Sequence, residues 1–200
     1  MEVKEAIEKR RSIRRFSPQP IELDWLYELV QAARLAPQAS NVQPLKYMIV
    51  HQKQLLPKMF ACTKWAGYLE DYAPPKGLRP TAYIVVLIDE SLKKGNSDTD
   101  AGAAVQNLLL RAVDFGLGSC WIGSVNREKV TKLLGISEGF RIHSVVALGH
   151  PAEEPVWEEK DGESIKYYLD QDKRLHVPKR RMGEILMTIQ PDLSAVEEAD

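Results

Sequence analysis

A helix pattern over Asp98–Phe115 constrains the fold of this chain more than any other feature. Its apolar positions match the spacing of a helix without a miss. Asp98 or Thr99 can cap its start, and Gly116 ends it. The pattern predicts a central, nearly all-buried helix around which other elements pack. Its apolar residues are Ala101, Ala104, Val105, Leu108, Leu109, Ala112 and Val113.

Shorter elements surround this helix in the sequence. Helices are predicted over residues 3–10, 23–35 and 52–61, and a further one runs from its cap, Asn126, to Gly135. Strands are predicted at Tyr47–Val50, Tyr83–Ile88, within Gly116–Gly123 and at Ile142–Leu148. This order predicts an α+β fold, an α/β sandwich in which helices flank a mixed central sheet.

The sequence becomes charged and irregular beyond Pro151. So little periodicity over about 50 residues is not typical of a second core. We therefore expect a single domain over residues 1–200 with its core at about 3–151. The extension at 152–200 would wrap the domain or a dimer partner.

Composition excludes several classes of protein. The 27 Lys and Arg residues nearly balance 28 Asp and Glu, which argues against a nucleic-acid binder that relies on overall charge. Cys62 and Cys120 lack the spacing of a disulfide framework or a zinc site, which indicates a reducing, cytoplasmic compartment. Residues 1–5 lack the apolar core of a signal peptide, and the longest apolar run, at 82–88, is too short to cross a bilayer.

Positive charge is nevertheless concentrated in the arginine cluster, residues 10–15. Four guanidinium groups stand within six residues, with Ser12 among them. Because like charges so close repel, the cluster is either a solvated helix end or a receiver for an anion. Guanidinium forks and a hydroxyl suit a phosphate group. The helix dipole ahead of the cluster gives a structural reason for part of the charge.

A second polar segment, Ala36–Pro44, lies between prolines and offers uncharged amide and hydroxyl groups. The motifs of other sites are missing. Gly116-Leu117-Gly118 fails the dinucleotide fingerprint in spacing and context, and there is no P-loop. The four histidines lack metal-ligand spacing, and His143 and Cys120 are predicted to be packing residues. This combination suits a site where a bound cofactor performs the reaction and the protein orients it.

Separated motifs, in the same order, resemble those of the FMN-dependent nitroreductase family. Residues 10–16 look like its N-terminal phosphate motif, and residues 36–44 resemble its A-P-S-x-x-N-x-Q-P-W segment, with Gln38 and Leu45 in place of the usual Ser and Trp. Residues 104–123 are similar to its central helix and flavin turn, and residues 148–151 match its strand-ending L-G-Y-P. The resemblance covers about residues 3–151, and residues 179–181 fit the family's basic tail.

The resemblance implies an obligate homodimer with two FMN molecules at its interface. Arg10, Arg11 and Ser12 would hold the phosphate and ribityl end, and Arg14 would lie near the pyrimidine edge of the ring. The remaining residues implied to bind the cofactor are Ala39, Ser40, Asn41 and Gln43, which would line the ring or approach from the other subunit, then Cys120, Trp121, Ile122 and Gly123 at the ring, and Lys179 and Arg181 at the phosphate. No side chain is expected to act as a nucleophile, and Arg15 is expected to face solvent or the dimer partner.

Family resemblance also implies a reaction. NADH or NADPH would reduce the flavin and leave, after which a nitroaromatic, quinone or other small conjugated acceptor would be reduced in a ping-pong cycle. Trp65, Tyr68 and Tyr72 would form a substrate lid or serve as surface anchors. The alternatives are a specialised relative that dehalogenates its substrate or destroys flavin, a non-catalytic FMN-binding or redox-sensing protein, and a nucleic-acid binder that uses the basic patch.

Overall fold

A computed structural model describes residues 1–70, 72–93, 95–160 and 164–188 of the chain. The chain divides into two compact units, Met1–Pro155 and a second unit that begins at Val156. The helices are α1 (Val3–Lys9), α2 (Leu23–Arg34), α3 (Leu56–Phe60), α4 (Asp98–Asp114), α5 (Arg127–Leu134) and α6 (Met182–Ile185). The strands are β1 (Leu45–Val50), β2 (Ala82–Asp89), β3 (Gly118–Ile122), β4 (Phe140–Gly149), β5 (Val156–Lys160), β6 (Tyr168–Leu169) and β7 (Leu175–Arg180).

A four-stranded sheet in the order β1-β2-β4-β3 forms the centre of the first unit. Each neighbouring pair in it is antiparallel. An isolated parallel bridge joins Ser12 to Ser119 of β3. The predicted α+β architecture, with helices on both sides of a central sheet, is confirmed.

Side chains of β2 alternate between two apolar layers, as a period of two residues requires. Ile84 and Val86 pack with Leu26 and Leu29 of α2 and with Leu108 of α4. On the other face of the sheet, Tyr83, Val85 and Leu87 pack with Met59 of α3, Val130 of α5 and Cys120. Every residue from Ala82 to Ile88 is buried, which explains why this strand reads as a continuous apolar run.

Helix α4 takes the central position that its periodicity predicts, although two details differ. Ser97 occupies the N-cap position and its side chain makes no capping hydrogen bond, so the expected cap at Asp98 or Thr99 was wrong. The buried residues lie on one broad face, while Val113 is half-buried and Gln106 is exposed. A helix over a sheet and beside α2 is covered on two sides, which leaves a narrow outer stripe in solvent.

Helix α5 follows its sequence signals closely. Asn126 caps it by accepting a hydrogen bond from the Lys129 N–H at 3.0 Å, and Gly135 ends it in the left-handed conformation, with φ of 63°. Both features were predicted from residue type alone, because few other residues satisfy these positions.

The described residues contain no helix that is both long and apolar enough to span a membrane.

The extension is more regular than the sequence indicates. Strands β5, β7 and β6 form a three-stranded sheet in that order, with β5 and β7 parallel and β6 and β7 antiparallel. The expectation of an irregular segment was therefore wrong. Strand β5 has the charged residues Glu158 and Lys160 at half-buried positions and β6 has only two residues, so neither shows the apolar alternation by which strands are recognised. Two expectations stay predictions: that the extension wraps the domain or a partner, and that the chain is a single domain.

His176 is the centre of a charged network in the second unit. Its Nδ1 lies 3.2 Å from Glu158 Oε2, and its Nε2 lies 3.0 Å from Asp170 Oδ2. The ring of Tyr168 stacks on the imidazole with centroids 5.0 Å apart, and its hydroxyl donates to Glu158. The hydrogen bond to Asp170 raises the pKa of His176 above its ordinary 6.5.

We expect the stability of this unit to fall as pH rises above about 6.5. A raised pKa in the folded state means that the contribution of His176 is fully present below its unfolded value of 6.5, and is lost as pH rises through the folded value. The carboxyl pKa values of Glu158 and Asp170 are lowered, so their contribution is lost on the acid side. The measurement is amide hydrogen exchange of β7 from about pH 5 to about pH 8. His176→Gln should remove the alkaline change, whereas His51→Gln should leave it intact.

Candidate functional site

The arginine cluster lies at the edge of the central sheet because residues 12 and 13 pair with β3 and Phe16 is bonded to the segments that precede β2 and follow β4. The Ile13 N–H donates to the Ser119 carbonyl at 2.8 Å, and the Phe16 N–H donates to the Leu78 carbonyl at 2.9 Å. Phe16 is fully buried, and it also forms an antiparallel bridge with Pro151. The buried side chains of Ile13 and Phe16 thus enter the core and fix the arginines between them at the surface.

Two glycines allow this close approach. A β-carbon at position 118 would lie 2.8 Å from Ile13 Cγ2, and one at position 149 would lie 2.8 Å from both Cβ and Cδ1 of Phe16. Real β-carbons do not come so close to their neighbours. Glycine is therefore required at both strand ends by the packing of the N-terminal segment.

Arg10 and Arg11 are half-buried and lie together at the end of α1. Partial burial lowers the pKa of both guanidinium groups, and the charge of Arg10 lowers that of Arg11 further. Arg11 donates to the Glu8 carbonyl, whereas the Arg10 side chain has no hydrogen-bond or ion-pair partner among the described residues. A desolvated cation without a countercharge is unfavourable, and an anionic ligand would compensate it.

Glu153 organises the other half of the cluster. Its Oε1 accepts hydrogen bonds from the backbone N–H groups of Arg14 and Arg15. Its Oε2 accepts from the Tyr72 hydroxyl at 3.0 Å. The Arg15 guanidinium lies 4.9 Å from the Tyr72 ring centroid, a cation–π contact that the sequence did not predict, and its expected orientation toward solvent or a dimer partner stays a prediction. Burial raises the pKa of Tyr72 to about 12, which keeps this hydroxyl a donor.

Sequence reasoning missed Glu153. A single glutamate beyond Pro151 carries no local signal, since its role depends on contacts with Tyr72 and Arg14, which lie 81 and 139 positions earlier in the chain.

The three aromatic residues predicted as a lid or as surface anchors have different environments. Tyr72 is buried as an anchor, and Trp65 donates to Thr63 Oγ1 at 3.0 Å and stacks on Phe60. Tyr68 is 58% exposed and is the residue of this group that a lid role would suit.

A cleft next to Arg14 contains the predicted ring-binding residues of β3. It has a volume of about 130 Å³ and is lined by Arg14, by Trp65, and by residues 120–123. Gly123 is exposed, and a β-carbon at this position would meet nothing within 4 Å, so a planar group can approach its backbone. The structure thus brings Arg14 together with Cys120, Trp121, Ile122 and Gly123.

The side chains of this strand have distinct environments. Burial raises the pKa of the Cys120 thiol to about 11, so it stays protonated and serves packing, as predicted. Trp121 is 40% exposed, and its indole N–H donates to Ser144 Oγ at 2.6 Å. His143 accompanies it, with Nδ1 2.9 Å from the same oxygen and Nε2 3.3 Å from Asp98. His143 is therefore satisfied but half-buried, and not a full core residue.

Residues 39–43 form a separate, exposed part of the site. Ser40, Asn41 and Gln43 all have left-handed backbone conformations, with φ between 51° and 55°. The Ala39 N–H donates to Asp100 Oδ1 at 2.9 Å, and Lys93 Nζ lies 2.7 Å from the other oxygen of this buried carboxylate. Both hydrogen bonds lower the pKa of Asp100. Asp100 thus holds the segment at the first turn of α4, another role that the sequence did not reveal.

One chain does not bring residues 39–43 to the arginine cluster. Ala39 is bonded to Asp100 in the first turn of α4, whereas Arg11 shares a cavity with Val113 in the last turn. At a rise of 1.5 Å per residue, these two turns are about 20 Å apart. The two groups of predicted residues therefore lie at opposite ends of the helix.

Lys179 and Arg181 belong to the second unit. Lys179 is in β7, and Arg181 precedes α6, where its backbone N–H donates to Glu184 Oε1 at 3.2 Å. Both residues are exposed. Their predicted contact with a phosphate stays a prediction. No group of three or more His, Cys, Asp or Glu residues in the described part of the chain could hold a metal ion.

Comparison with known proteins gives a consistent result. The model of the Nitroreductase family matches residues 7–150. A relative from Archaeoglobus fulgidus, which carries the provisional name NADH dehydrogenase/NAD(P)H nitroreductase, is 36% identical over 159 residues, covering 76% of this chain and 87% of the relative. The NADH dehydrogenase of Thermus thermophilus is 30% identical over 182 residues, covering 77% of this chain and 89% of the relative.

A solved structure shows the same fold. A provisionally named nitroreductase from Desulfovibrio desulfuricans, crystallised in complex with FMN, superposes with a TM-score of 0.69 at 24% identity. The match covers 96% of this chain and 98% of that one.

Proposed function

We propose that this chain, which belongs to the nitroreductase family, is an FMN-dependent oxidoreductase that uses NADH or NADPH to reduce a nitroaromatic, a quinone or a similar conjugated acceptor. The observation that carries the proposal is the half-buried charge of Arg10, which has no partner among the described residues and lies beside Arg11. Relatives named NADPH-flavin oxidoreductase and FMN reductase (NADPH) support the choice of cofactor and donor.

The residues present fit FMN. A phosphate would compensate the two guanidinium charges at the end of α1, with Ser12 as a further donor. Arg14 lines the cleft beside β3, where a cation would stabilise negative charge on a reduced ring. The open backbone of Gly123 would accept the edge of a planar ring and offer its N–H to it. Bound FMN would supply the redox chemistry, taking hydride at N5 and returning electrons to the acceptor in a ping-pong cycle.

Protein side chains would contribute orientation and electrostatics to this reaction. Glu153 fixes the backbone of Arg14, so the cation at the ring is positioned by hydrogen bonds outside the cleft. The Cys120 thiol is protonated and buried, and is therefore unsuited to attack a substrate. These contacts favour a site that holds a cofactor in place and leaves its exposed face to small acceptors.

A homodimer would complete the site. Ser40, Asn41 and Gln43 are exposed and lie about 20 Å from the arginine cluster along α4, so a second subunit would supply them. The outer face of α1 supports this arrangement, because its apolar residues Val3 and Ile7 are 70% and 53% exposed. Lys179 and Arg181 would return to the phosphate.

We further propose a cytoplasmic location. Cys62 and Cys120 are both free and buried, as expected for a protein made in a reducing compartment.

Anaerobic spectroscopy of the purified protein tests the function directly. We expect a yellow protein whose visible flavin absorbance is bleached by NADH or NADPH and restored by a quinone or a nitroaromatic compound. A colourless protein that takes up no FMN would contradict the cofactor. FMN binding without reduction by either nicotinamide would instead identify a non-catalytic flavin protein.

A further inference from the structure

A second cavity lies directly beside the cleft assigned to the flavin ring. It has a volume of about 520 Å³, and Lys64, Gly123 and Ser124 line both spaces. The backbone N–H of Lys64 donates to the Ser124 carbonyl at 3.0 Å, and Thr63 forms an antiparallel bridge with Val125, which together hold the two walls of the cavity in place. A ligand whose reactive ring stacks on a flavin in the cleft could therefore extend into this cavity.

The charge of the cavity is strongly positive. Lys64, Arg127 and Lys129 line it, and no aspartate or glutamate is present among its lining residues in the described part of the chain. Other lysines of the chain behave differently, since Lys132 lies 2.7 Å from Glu128 and Lys9 lies 2.7 Å from Glu5. The ammonium groups of Lys64 and Lys129 have no such carboxylate among the described residues.

Arg127 contributes a fixed charge to this cavity. Its Nε donates to the Ile142 carbonyl at 3.0 Å, and its Nη2 donates to the His143 carbonyl at 2.9 Å. These bonds tie the first residue of α5 to β4 and leave the guanidinium charge without a counterion among the described residues. The start of α5 adds the positive end of the helix dipole. Three cations and a helix start that converge on one space favour a ligand with several negative charges.

We propose that the basic cavity of Lys64, Arg127 and Lys129 binds the phosphate groups of the nicotinamide dinucleotide that reduces the flavin. The inference rests on the proposed function, because it assumes that the nicotinamide ring stacks on a flavin held in the adjoining cleft. The pyrophosphate and the 2′-phosphate of NADPH share the required chemistry. The two lysines then set the affinity for the donor and leave FMN binding to the arginine cluster.

The test measures binding of NADP⁺, NAD⁺ and inorganic pyrophosphate to the oxidised FMN-loaded protein by calorimetry. We expect Lys129→Gln to raise the Kd of NADP⁺ about three- to tenfold, and the double variant Lys64→Gln/Lys129→Gln to raise it further, because each removes an exposed charge-assisted contact. Lys132→Gln is the matched control, since it removes one positive charge from the same helix outside the cavity.

The ligands distinguish the two phosphate sources. A change in Kd for NADP⁺ alone assigns the cavity to the 2′-phosphate, and an equal change for all three ligands assigns it to the pyrophosphate. Unchanged Kd values in the double variant, or an equal effect of Lys132→Gln, would overturn the proposal. Loss of FMN from Lys64→Gln would place this residue at the flavin and remove it from the proposed donor site.

The results that would contradict the proposed function differ from those that would contradict the donor cavity. Flavin that is not reduced by NADH or NADPH in the unaltered protein contradicts the enzyme assignment, whatever the variants do. Reduction with a normal limiting rate and an unchanged apparent Kd in the lysine variants contradicts the donor cavity alone.

Discussion

Arg10→Ala is expected to weaken FMN binding by about 10- to 100-fold, the factor that corresponds to one charge-assisted hydrogen bond of about 1.5–3 kcal/mol. The same change should leave the stability of the FMN-free protein unaltered or raise it. Burial lowers the pKa of Arg10, and the described residues provide no countercharge, so the folded apoprotein gains little from this cation. If Arg10 serves to bind FMN, its removal should weaken FMN binding without lowering the stability of the apoprotein.

Flavin fluorescence titration gives the affinity, and urea unfolding of the apoprotein gives the stability. Arg11→Ala should behave similarly, although it also loses the hydrogen bond to the Glu8 carbonyl at the end of α1. Arg34→Ala serves as the control, because this exposed arginine is bonded to Gln31 on α2. Unchanged FMN affinity in both cluster variants would refute a phosphate role for the cluster, while a loss of stability without loss of affinity would make Arg10 a structural residue.

Gly149→Ala should destabilise the protein by about 1–3 kcal/mol, the usual cost of overpacking a core. Its β-carbon would lie 2.8 Å from the side chain of Phe16, which is fully buried and cannot move aside. Relief of the contact requires the N-terminal segment to shift away from the sheet. Since Arg14 belongs to residues 12–16 and Arg10 lies just before them, we also expect weaker FMN binding.

Gly102→Ala is the matched control, with an expected effect of opposite sign. Position 102 lies within α4, and a β-carbon there would meet nothing within 4 Å. Alanine is a better helix former than glycine, so the stability should rise by about 0.5–1 kcal/mol. Urea unfolding at constant m-value compares the two variants. A Gly149→Ala protein as stable as the parent would show that residues 12–16 are not packed as described.

The core elements could be predicted because each carries a strong local signal. The buried face of α4 has helical spacing, β2 is a continuous apolar run, and Asn126 and Gly135 mark the ends of α5. The short strands of the second unit could not be predicted, because β5 has charged residues at half-buried positions and β6 has only two residues. Hydrophobic periodicity does not identify a strand when neither face of that strand is fully buried.

The charged residues of the candidate site could be predicted from the sequence, but the residues that hold them in position could not. The arginine cluster and residues 120–123 follow from residue type and motif order, and the structure brings Arg14 to that strand. Glu153 and Asp100 hold the two halves of the site through contacts distant in sequence, and neither has a distinctive neighbourhood. The contact of Arg15 with the Tyr72 ring could not be predicted for the same reason, since it is set by tertiary packing.

The left-handed turn at residues 40–43 has a consequence for assembly. Non-glycine residues seldom adopt this conformation, yet three of them do so within four positions, directly after the Ala39 N–H that Asp100 anchors. The turn has this shape within a single subunit, so association in the proposed dimer would not need to order a flexible loop. In the proposed dimer, the speed and tightness of association would then depend on Asp100, a carboxylate buried directly beneath the turn.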